Sequence, residues 1–478
     1  MWLFLLLVIP LLGLLILLIS PRHWQPFIPV VVTALNILDF IGYWVWHASA
    51  NTDLFSHWLQ MDQLSTLITG ITLFVGFTAA IYSIHYLQME RKQAHPTSLH
   101  AEKVYYALFL VFYIALIGVP LMQNVLLTWA LIEGTALASA MLIDFHHTKT
   151  STEAAWKYIV LMEIGGLLGL FGTLTFLIGQ PITLHATTWQ LLTQYASHIP
   201  AAWLKTGFIL VLVGYGTKAG LVPFNAWLPD AHSQAPSPTS AMLSAIKLNV
   251  AMYGILRCVD ILNAGGLGVF GKDSLAAIGL LTVVVSTLMT VRQHDFKRLF
   301  AYSSSENMGL IAIGFALGPI GVLGGMLQMI NHSVIKSLLF YQSGDMLFAG
   351  GSTTIDRLRG YAHALPYAGG ILTLGFLAIA GAPPFGLFIS EFMIIYALFH
   401  QMPIWFAIVI VLMLAILFAN FLRYALQIGF GRPSAAVQKF KLTKATREWG
   451  AVIPFTLHMV AILALGILLP FGMSMLGQ

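Results

Sequence analysis

The chain has 478 residues, of which 58% are hydrophobic and only 9% are charged. Soluble domains carry about 25% charged residues, so this composition excludes a soluble globular protein and indicates a polytopic membrane protein. The single cysteine, Cys258, excludes a disulfide framework, a four-cysteine zinc site and an iron–sulfur cluster held within this chain. We therefore expect the chain to hold no cofactor.

A hydropathy window of about 19 residues finds a series of apolar segments along the whole chain. The first, Trp2 to Ser20, lacks the basic leader and the cleavage site of a signal peptide, and we interpret it as a retained helix. The pattern predicts an all-α polytopic membrane protein with about 14 transmembrane helices. The predicted segments lie near residues 2–20, 26–47, 62–87, 105–122, 124–144, 155–178, 205–227, 238–259, 274–291, 299–318, 320–348, 366–399, 403–428 and 450–474.

The Lys and Arg residues are distributed unevenly among the loops. Of the 23, seventeen fall in one set of alternate loops and three (Lys205, Arg257 and Lys272) fall in the other. Cytoplasmic loops are enriched in Lys and Arg, so the asymmetry predicts that both termini lie on the non-cytoplasmic side. The net charge of +5 then reflects topology and requires no nucleic acid partner. The remaining three basic residues lie inside spans and are Lys218, Lys247 and Lys336.

Two apolar segments are interrupted at corresponding places. Residues 220–224 read GLVPF and residues 381–385 read GAPPF, and a further apolar stretch follows each. Proline breaks a helix, and such a break persists in hydrocarbon only where protein or a water-filled cavity surrounds it. Paired interrupted helices indicate a repeat transporter fold. The breaks differ in charge, because Lys218 precedes the first whereas Ile379 occupies the equivalent position before the second.

Titratable residues inside membrane spans are energetically expensive and usually functional. Glu133 has no basic neighbour in its own segment, and Lys218 is its natural partner because an ion pair offsets part of both desolvation costs. His332 and Lys336 are four residues apart, so they share one helical face. The residues predicted to form a proton pathway are Glu133, Lys218, Lys247, His332, Lys336 and Glu391.

These six residues have neither metal-ligand spacing nor the spacing of a catalytic nucleophile and its base. Burial and a neighbouring carboxylate act in opposite directions on the proton affinity of a lysine. A lysine held between these influences can bind and release a proton when its carboxylate partner moves or is neutralised. The pattern therefore predicts proton translocation, without a catalytic residue and without a metal.

Four further acids lie in or near the apolar segments. Glu163 and Asp39 either join a proton input path or are hydrogen-bonded between helices. Glu306 and Asp345 are expected nearer to helix ends, where hydration is cheap. The possible accessory residues are thus Glu163, Asp39 and Glu306. Three histidines are interpreted as interfacial, and no pair of them is indicated as a haem ligand; they are His85, His146 and His147.

Five stretches carry a resemblance to a known family. They read LIEGT, VGYGTKAGLVPFNAWLPDAHSQAPSPTSAML, HDFKRLFAYSSSENMG, NHSVIKSLLF and PPFGLFISEF. Together they resemble the antiporter-like proton-pumping subunits of respiratory complex I, and the relatives of these subunits in membrane-bound hydrogenases and Mrp cation/proton antiporters. The GYGTK opening, the SQAPSP loop and the glutamate of SSSEN are most similar to the hydrogenase-4 component F branch.

The resemblance implies two inverted five-helix repeats, each containing a broken helix. The chain would then be a single membrane domain over residues 1–478, with the first three helices at 2–87, the repeats at 105–259 and 274–428, and the last helix at 450–474. In two respects the sequence departs from the family. Hydrogenase-type relatives often lack a lysine at the position of Lys247, and Glu163 has no family role that we can assign.

The functional positions of the family each have a matching residue here. The matches are Glu133 for the fifth-helix glutamate, Lys218 for the broken-helix lysine, Lys247 for the central residue of the eighth helix, His332 and Lys336 for the eleventh helix, and Glu391 for the terminal residue of the twelfth.

We therefore expect a proton-translocating, multi-pass subunit of a respiratory or hydrogenase complex in the cell inner (plasma) membrane. It would form part of an NADH dehydrogenase-like or hydrogenase-like oxidoreductase without carrying the redox chemistry. Expected partners are other membrane subunits, a peripheral soluble module, the lipid bilayer and protons, with Na⁺ still open as the coupling ion. Alternatives are an Mrp-type Na⁺/H⁺ antiporter subunit and a proton-coupled inorganic-carbon uptake subunit. A quinone- or haem-dependent membrane redox enzyme is disfavoured by the single cysteine and the lack of a nucleotide motif.

Overall fold

A computed structural model of the chain describes residues 2–47, 58–92, 99–178, 187–442 and 449–476. Over these residues the chain is helical, connected by turns and short loops, and it has no β-strand. The predicted all-α class is therefore confirmed. Two of the seventeen basic loop residues, Lys444 and Arg447, lie outside the described residues.

The first part of the chain forms helices that follow the predicted apolar segments. Asn124 begins one of them by accepting hydrogen bonds from the backbone N–H groups of Leu126 and Leu127, as an N-cap does. The helices are α1 (Trp2–Ile19), α2 (Ile28–His47), α3 (Gln63–Arg91), α4 (Leu99–Leu121), α5 (Val125–Ile143), α6 (Lys149–Thr175), α7 (Trp189–Tyr195), α8 (Ala201–Lys218), α9 (Trp227–Gln234), α10 (Ser237–Met242) and α11 (Leu248–Ala264). A π-helical turn, Leu243–Lys247, joins α10 to α11.

The rest of the chain is equally helical. Asp295 caps the second helix of this part by accepting a hydrogen bond from the backbone N–H of Arg298. The helices are α12 (Gly268–Val291), α13 (Phe296–Ala316), α14 (Pro319–Gly350), α15 (Tyr361–Ala364), α16 (Pro366–Ile379), α17 (Gly386–Gln401), α18 (Ile404–Phe430), α19 (Ala435–Leu442) and α20 (Trp449–Leu476).

Ten helices within the described residues are long and apolar enough to cross a membrane, or up to 11 if the bent pair Ile355–His363 and Pro366–Ile379 is one span. The predicted number of fourteen spans is therefore not confirmed. Helices α13 and α14 have 21 and 32 residues but are not among the ten. They carry the polar stretches SSSEN and NHSVIK, which make them less apolar than the other long helices.

The chain divides into two compact units. The first unit comprises Met1–Ala80, Ala94–Gly220 and Ile246–Ser274, and the second comprises Ile81–Gln93, Leu221–Ala245 and Leu275–Gln478. In the first unit, α5 packs between α4 and α6, and α8 packs against both α6 and α11. In the second unit, α14 is central and packs against α10, α13, α16, α17 and α20.

Both helix breaks predicted from the proline motifs are confirmed. Helix α8 ends at Lys218 and α16 ends at Ile379, and two residues further on Gly220 and Gly381 both have φ of 73°. This left-handed conformation is favourable for glycine and ends a helix, which explains the glycine at each break. A cis X-Pro bond follows in each case. The two breaks thus have the same local backbone, and Lys218 and Ile379 are equivalent positions.

Candidate functional site

The first unit contains a buried ion pair at the end of a broken helix. The Lys218 ammonium nitrogen lies 2.9 Å from Glu133 Oε2, and the two side chains are 0% and 12% exposed. Lys218 is the last residue of α8, and Glu133 lies in the middle of α5. The structure therefore brings together the two residues that were predicted to pair. Glu133 Oε1 has no hydrogen-bond partner among the described residues, so one carboxylate oxygen is left to accept a proton.

Glycines make room for this pair. Gly214 of α8 lies directly against the backbone of Gly165 and Gly169 of α6, where any side chain would clash. The same applies to Gly166, because a Cβ there would occupy the position of the Glu133 carboxyl group. The close approach of α6 and α8 thus fixes the space in which the pair sits. The run of glycines in α6 is explained by this packing.

Lys247 is a third buried titratable residue of the same unit. It is 1% exposed and is the last residue of the π-helical turn before α11. Its ammonium nitrogen lies 4.5 Å from the ring centroid of Tyr158 and 3.3 Å from the sulfur of Met162, both on α6. The charges of Lys218 and Glu133 both act electrostatically on Lys247. The three predicted residues of this unit are therefore coupled to one another.

Tyr158 is a residue that the sequence interpretation missed. Its ring faces the Lys247 ammonium, and its hydroxyl group forms a hydrogen bond with Ser139 of α5. Tyr158 and Met162 are four residues apart, so their shared helical face could have been recognised. Their contact with Lys247 could not have been recognised, because it depends on how the helices pack.

The two accessory acids of the first unit have different surroundings. Glu163 is half-buried on α6, and its charge acts on both members of the Glu133–Lys218 pair. Asp39 is buried on α2, and neither of its carboxylate oxygens has a hydrogen-bond partner in the described part of the chain. The alternative that Asp39 is hydrogen-bonded between helices therefore receives no support. Glu163 belongs to the cluster around the pair.

In the second unit, His332 and Lys336 lie one turn apart on α14, and both side chains are fully buried. The Lys336 ammonium donates a hydrogen bond to the backbone carbonyl of Phe300 on α13 at 2.8 Å. Neither ring nitrogen of His332 has a hydrogen-bond partner among the residues that the structure describes. The predicted shared face is present, and it points into the protein.

Glu306 corrects one expectation. It was expected near a helix end with access to water, yet it is 0% exposed in the middle of α13. The charges of Glu306 and Lys336 act on each other. Glu391 on α17 is 8% exposed, and its carboxyl group lies against Gly381 of the second break. The second unit therefore has its own buried set of titratable groups, in which Glu306 is a full member.

A further pair in the second unit corrects the interpretation of His85, whereas Asp345 lies near the end of α14 as expected. His85 was expected at the membrane interface, but it is 5% exposed and its Nε2 lies 3.1 Å from Asp345 Oδ1. Tyr82 donates a hydrogen bond to the same carboxylate oxygen at 2.8 Å. These groups form a largely buried hydrogen-bonded cluster. His146 and His147, in contrast, are exposed as expected.

The charge pattern also placed Arg257 in a loop, and this was wrong. Arg257 lies within α11 and forms an ion pair with Asp62 at 2.6 Å. Its guanidinium also lies over the ring of Tyr253. In the described residues, no group of three or more His, Cys, Asp or Glu side chains is arranged to hold a metal ion.

A multi-pass membrane protein with a buried ion pair at one helix break and a buried carboxyl group at a second is a protein of the transporter type. The family described as NADH:quinone oxidoreductase/Mrp antiporter, transmembrane, matches residues 122–417. The chain belongs to this family.

Individual relatives agree with this assignment. The chain is 35% identical over 418 residues to a hydrogenase-4 component F homolog of Methylacidiphilum infernorum, covering 86% of this chain and 85% of the relative. Other curated relatives are longer, and the chain spans about half of their length.

Two solved structures have a similar fold. A chain of the archaeal membrane-bound sulfane sulfur reductase, a respiratory membrane complex, is 25% identical with a TM-score of 0.86, covering 98% of this chain and 95% of that one. A chain of respiratory complex I from Thermus thermophilus is 19% identical with a TM-score of 0.75, covering 98% and 99%. The predicted antiporter-like fold is thereby confirmed.

Proposed function

We propose that this chain is an antiporter-like membrane subunit that translocates protons within a multi-subunit respiratory or hydrogenase complex. The observation that carries the proposal is the buried Glu133–Lys218 pair at the end of a broken helix, with an N–O distance of 2.9 Å. Membership of the NADH:quinone oxidoreductase/Mrp antiporter family supports the same conclusion.

The pair works as a proton site because the carboxylate stabilises the ammonium. When Glu133 takes up a proton or moves away, the Lys218 ammonium loses its counter-charge in a buried place and releases a proton. Lys247 is the next group in the first unit, and the charges of Lys218 and Glu133 act on it. A proton leaving Lys218 is therefore received by a lysine whose own proton affinity depends on the state of the pair.

The energies involved are of the size that translocation requires. Moving one charge against 100 mV requires about 2.3 kcal/mol. Since one pKa unit corresponds to about 1.4 kcal/mol, a change of about two units in one group meets this requirement. Shifts of this size follow from breaking or forming a single buried ion pair. In the second unit, His332, Lys336 and Glu391 would carry protons by the same physical principle, without a metal or a redox group.

The expected partners are other membrane subunits of the same complex and a peripheral soluble module. Two observations support this: the chain has the fold of a chain in complex I, and it has the fold of a chain in the sulfane sulfur reductase, itself a respiratory membrane complex. We place the chain in the cell inner (plasma) membrane. The excess of basic residues in alternate loops supports both termini on the non-cytoplasmic side.

A sodium/proton antiporter subunit is the second candidate, because the family includes Mrp antiporters. Sodium coupling predicts that transport by the assembled complex stops when Na⁺ is removed. Transport that is unchanged in the absence of Na⁺ selects protons alone.

The experiment is proton uptake by proteoliposomes containing the whole complex with Lys218→Met or Glu133→Gln in this chain. We expect each variant to assemble and to lose translocation, because each removes one charge of the pair. Glu153→Gln is the control, since Glu153 forms an exposed ion pair with Lys157 on α6 and such pairs contribute little. Near-normal translocation by either test variant contradicts the proposal.

A further inference from the structure

A chain of hydrogen-bonded side chains leads to Glu306 in the second unit. Asn307 Nδ2 donates to Glu306 Oε2 at 2.8 Å, and Gln328 Nε2 donates to Asn307 Oδ1 at 2.8 Å. Ser390 of α17 then donates its hydroxyl to Gln328 Oε1. All four side chains are fully buried. Three helices, α13, α14 and α17, are thus joined by a polar chain that ends on a carboxylate.

The donor-to-acceptor direction of these hydrogen bonds distinguishes the two carboxylate oxygens of Glu306. Every donor points towards Glu306, so Oε2 is held as a hydrogen-bond acceptor. Glu306 Oε1 has no hydrogen-bond partner among the described residues, although it is fully buried. A proton that binds the carboxyl group therefore binds at Oε1. The amide groups keep the orientation of the carboxyl group fixed while its charge changes.

Two other buried titratable groups interact electrostatically with this carboxyl group. The charges of Glu306 and Lys336 act on each other. The charge of Glu306 also acts on Glu391, and Gln328 interacts with the carboxyl group of Glu391. Gln328 therefore bonds to Asn307, which holds the Glu306 carboxyl group, and also interacts with the carboxyl group of Glu391. Glu306 is thus linked electrostatically to both the lysine and the terminal glutamate.

A purely structural role does not require an acid at this position. Glutamine would accept the same hydrogen bond from Asn307 without placing a charge in the interior, where an ionised carboxylate is strongly disfavoured. Buried polar networks stabilise a fold best when all their members are satisfied. Glu306 Oε1 has no hydrogen-bond partner in the described residues, although the other side chains of this network are hydrogen-bonded. This arrangement is expected of a carboxyl group that exchanges protons.

We propose that Glu306 is a proton-carrying carboxyl group between Lys336 and Glu391, and that Asn307 and Gln328 are its positioning residues. This inference rests on the proposed function. In the transfer step, one N–H bond of the Lys336 ammonium breaks and the proton passes over a water molecule to form an O–H bond at Glu306 Oε1. The lysine and the glutamate both become neutral. Transfer of the same proton to the Glu391 carboxylate restores the Glu306 charge.

The test uses the whole complex in proteoliposomes with Glu306→Gln in this chain. We expect proton translocation to fall by about 100-fold, as for loss of a proton-transfer group. Glu306→Asp retains part of the activity, because it keeps the acid and shortens its reach. Glu102→Gln is the control, since Glu102 is also a buried glutamate but lies at the beginning of α4 in the first unit. Normal translocation by Glu306→Gln overturns the proposal.

Infrared difference spectra recorded on proton uptake distinguish a proton-carrying role of Glu306 from a purely structural role. If Glu306 gains a proton, the spectra contain its carboxylic acid band. We expect this band to disappear in Glu306→Gln. We expect it to shift in Gln328→Leu, which keeps the acid but interrupts the row of hydrogen bonds that leads to it. An unaltered band in both variants contradicts the proposal even if translocation falls. If Glu306→Gln does not assemble, the shift of the carboxylic acid band in Gln328→Leu tests the proposal instead.

Comparison with the first unit distinguishes the two proposals. If Lys218→Met and Glu133→Gln abolish translocation whereas Glu306→Gln does not, the role of Glu306 is refuted and the proposed function stands. If translocation survives all three substitutions, the proposed function itself is refuted.

Discussion

Lys218 is the last residue of α8, and its ammonium group contacts Glu133 of α5 at 2.9 Å. The carboxyl end of a helix carries a partial negative charge, which favours a cation there. The lysine is therefore stabilised both by its partner and by the helix that carries it. Because α8 ends at this residue, a change in the backbone at the break moves the charge directly.

The stability of the pair gives a first prediction. Lys218→Met or Glu133→Gln leaves one charge buried without its partner, which destabilises a protein by about 3–5 kcal/mol. The double variant removes both charges, so we expect its loss of stability to be smaller than the sum of the two single losses. Thermal unfolding of the purified protein in detergent measures this. Additive losses in the double variant contradict a direct interaction.

A second prediction concerns the space beside Glu133. Gly166→Ala places a methyl group where the Glu133 carboxyl lies, so we expect the ion pair to be displaced and translocation by the complex to fall strongly. Gly70→Ala is the matched control, because Gly70 also lies inside a helix of the first unit and a Cβ there meets nothing within 4 Å. Equal activities of the two variants refute the assignment of this space to the carboxyl group.

Tyr158 gives a third prediction. Its ring faces the Lys247 ammonium at 4.5 Å, a contact of the cation–π type that contributes about 0.5–2 kcal/mol. Tyr158→Leu removes the aromatic face, and we expect a clear fall in the rate of proton translocation. Tyr158→Phe keeps that face and leaves Ser139 bonded to the backbone carbonyl of Thr135, so it retains most of the rate. If the phenylalanine variant is as slow as the leucine variant, the hydroxyl group and not the ring is what matters.

The second break gives a fourth prediction. Gly381→Ala introduces a methyl group against the Glu391 carboxyl, at a residue with φ of 73°. Gly351→Ala is the control, because Gly351 has φ of 60° and open space around it. The backbone penalty of about 1–2 kcal/mol is common to both variants. We expect only Gly381→Ala to impair translocation, measured as initial rates in proteoliposomes, and equal impairment contradicts a role for Glu391 at this position.

Much of the fold followed from local patterns in the sequence. The two breaks were predictable because glycine and proline constrain the backbone wherever they occur, and the pairing of Glu133 with Lys218 followed because a buried charge needs a partner. The number of spans was harder to predict. Helices α13 and α14 are long, but they carry polar residues inside the protein and are less apolar than the helices that are long and apolar enough to cross a membrane.

The surroundings of individual side chains could not be predicted in the same way. Glu306 was expected near a helix end, yet it lies in the middle of α13 and is bonded by its neighbour Asn307. His85 was expected at the membrane interface, yet it is buried and bonds to Asp345, which is 260 residues away in the sequence. From the sequence, Tyr158 has the pattern of an ordinary helical tyrosine, and only the fold brings Lys247 over its ring. Contacts between distant helices depend on packing, and no local pattern records them.

The π-helical turn at Leu243–Lys247 sets the rotational phase of the segment that follows it. A π turn holds about one residue more than an α turn, and one residue corresponds to about 100° around the helix axis. Lys247 closes this turn, so a single extra residue decides which side of the helix its amine occupies. Deleting one residue within the turn would swing the amine away from Tyr158 while leaving the lysine in the sequence. The number of residues in this turn is therefore as important for the position of the amine as the presence of the lysine itself.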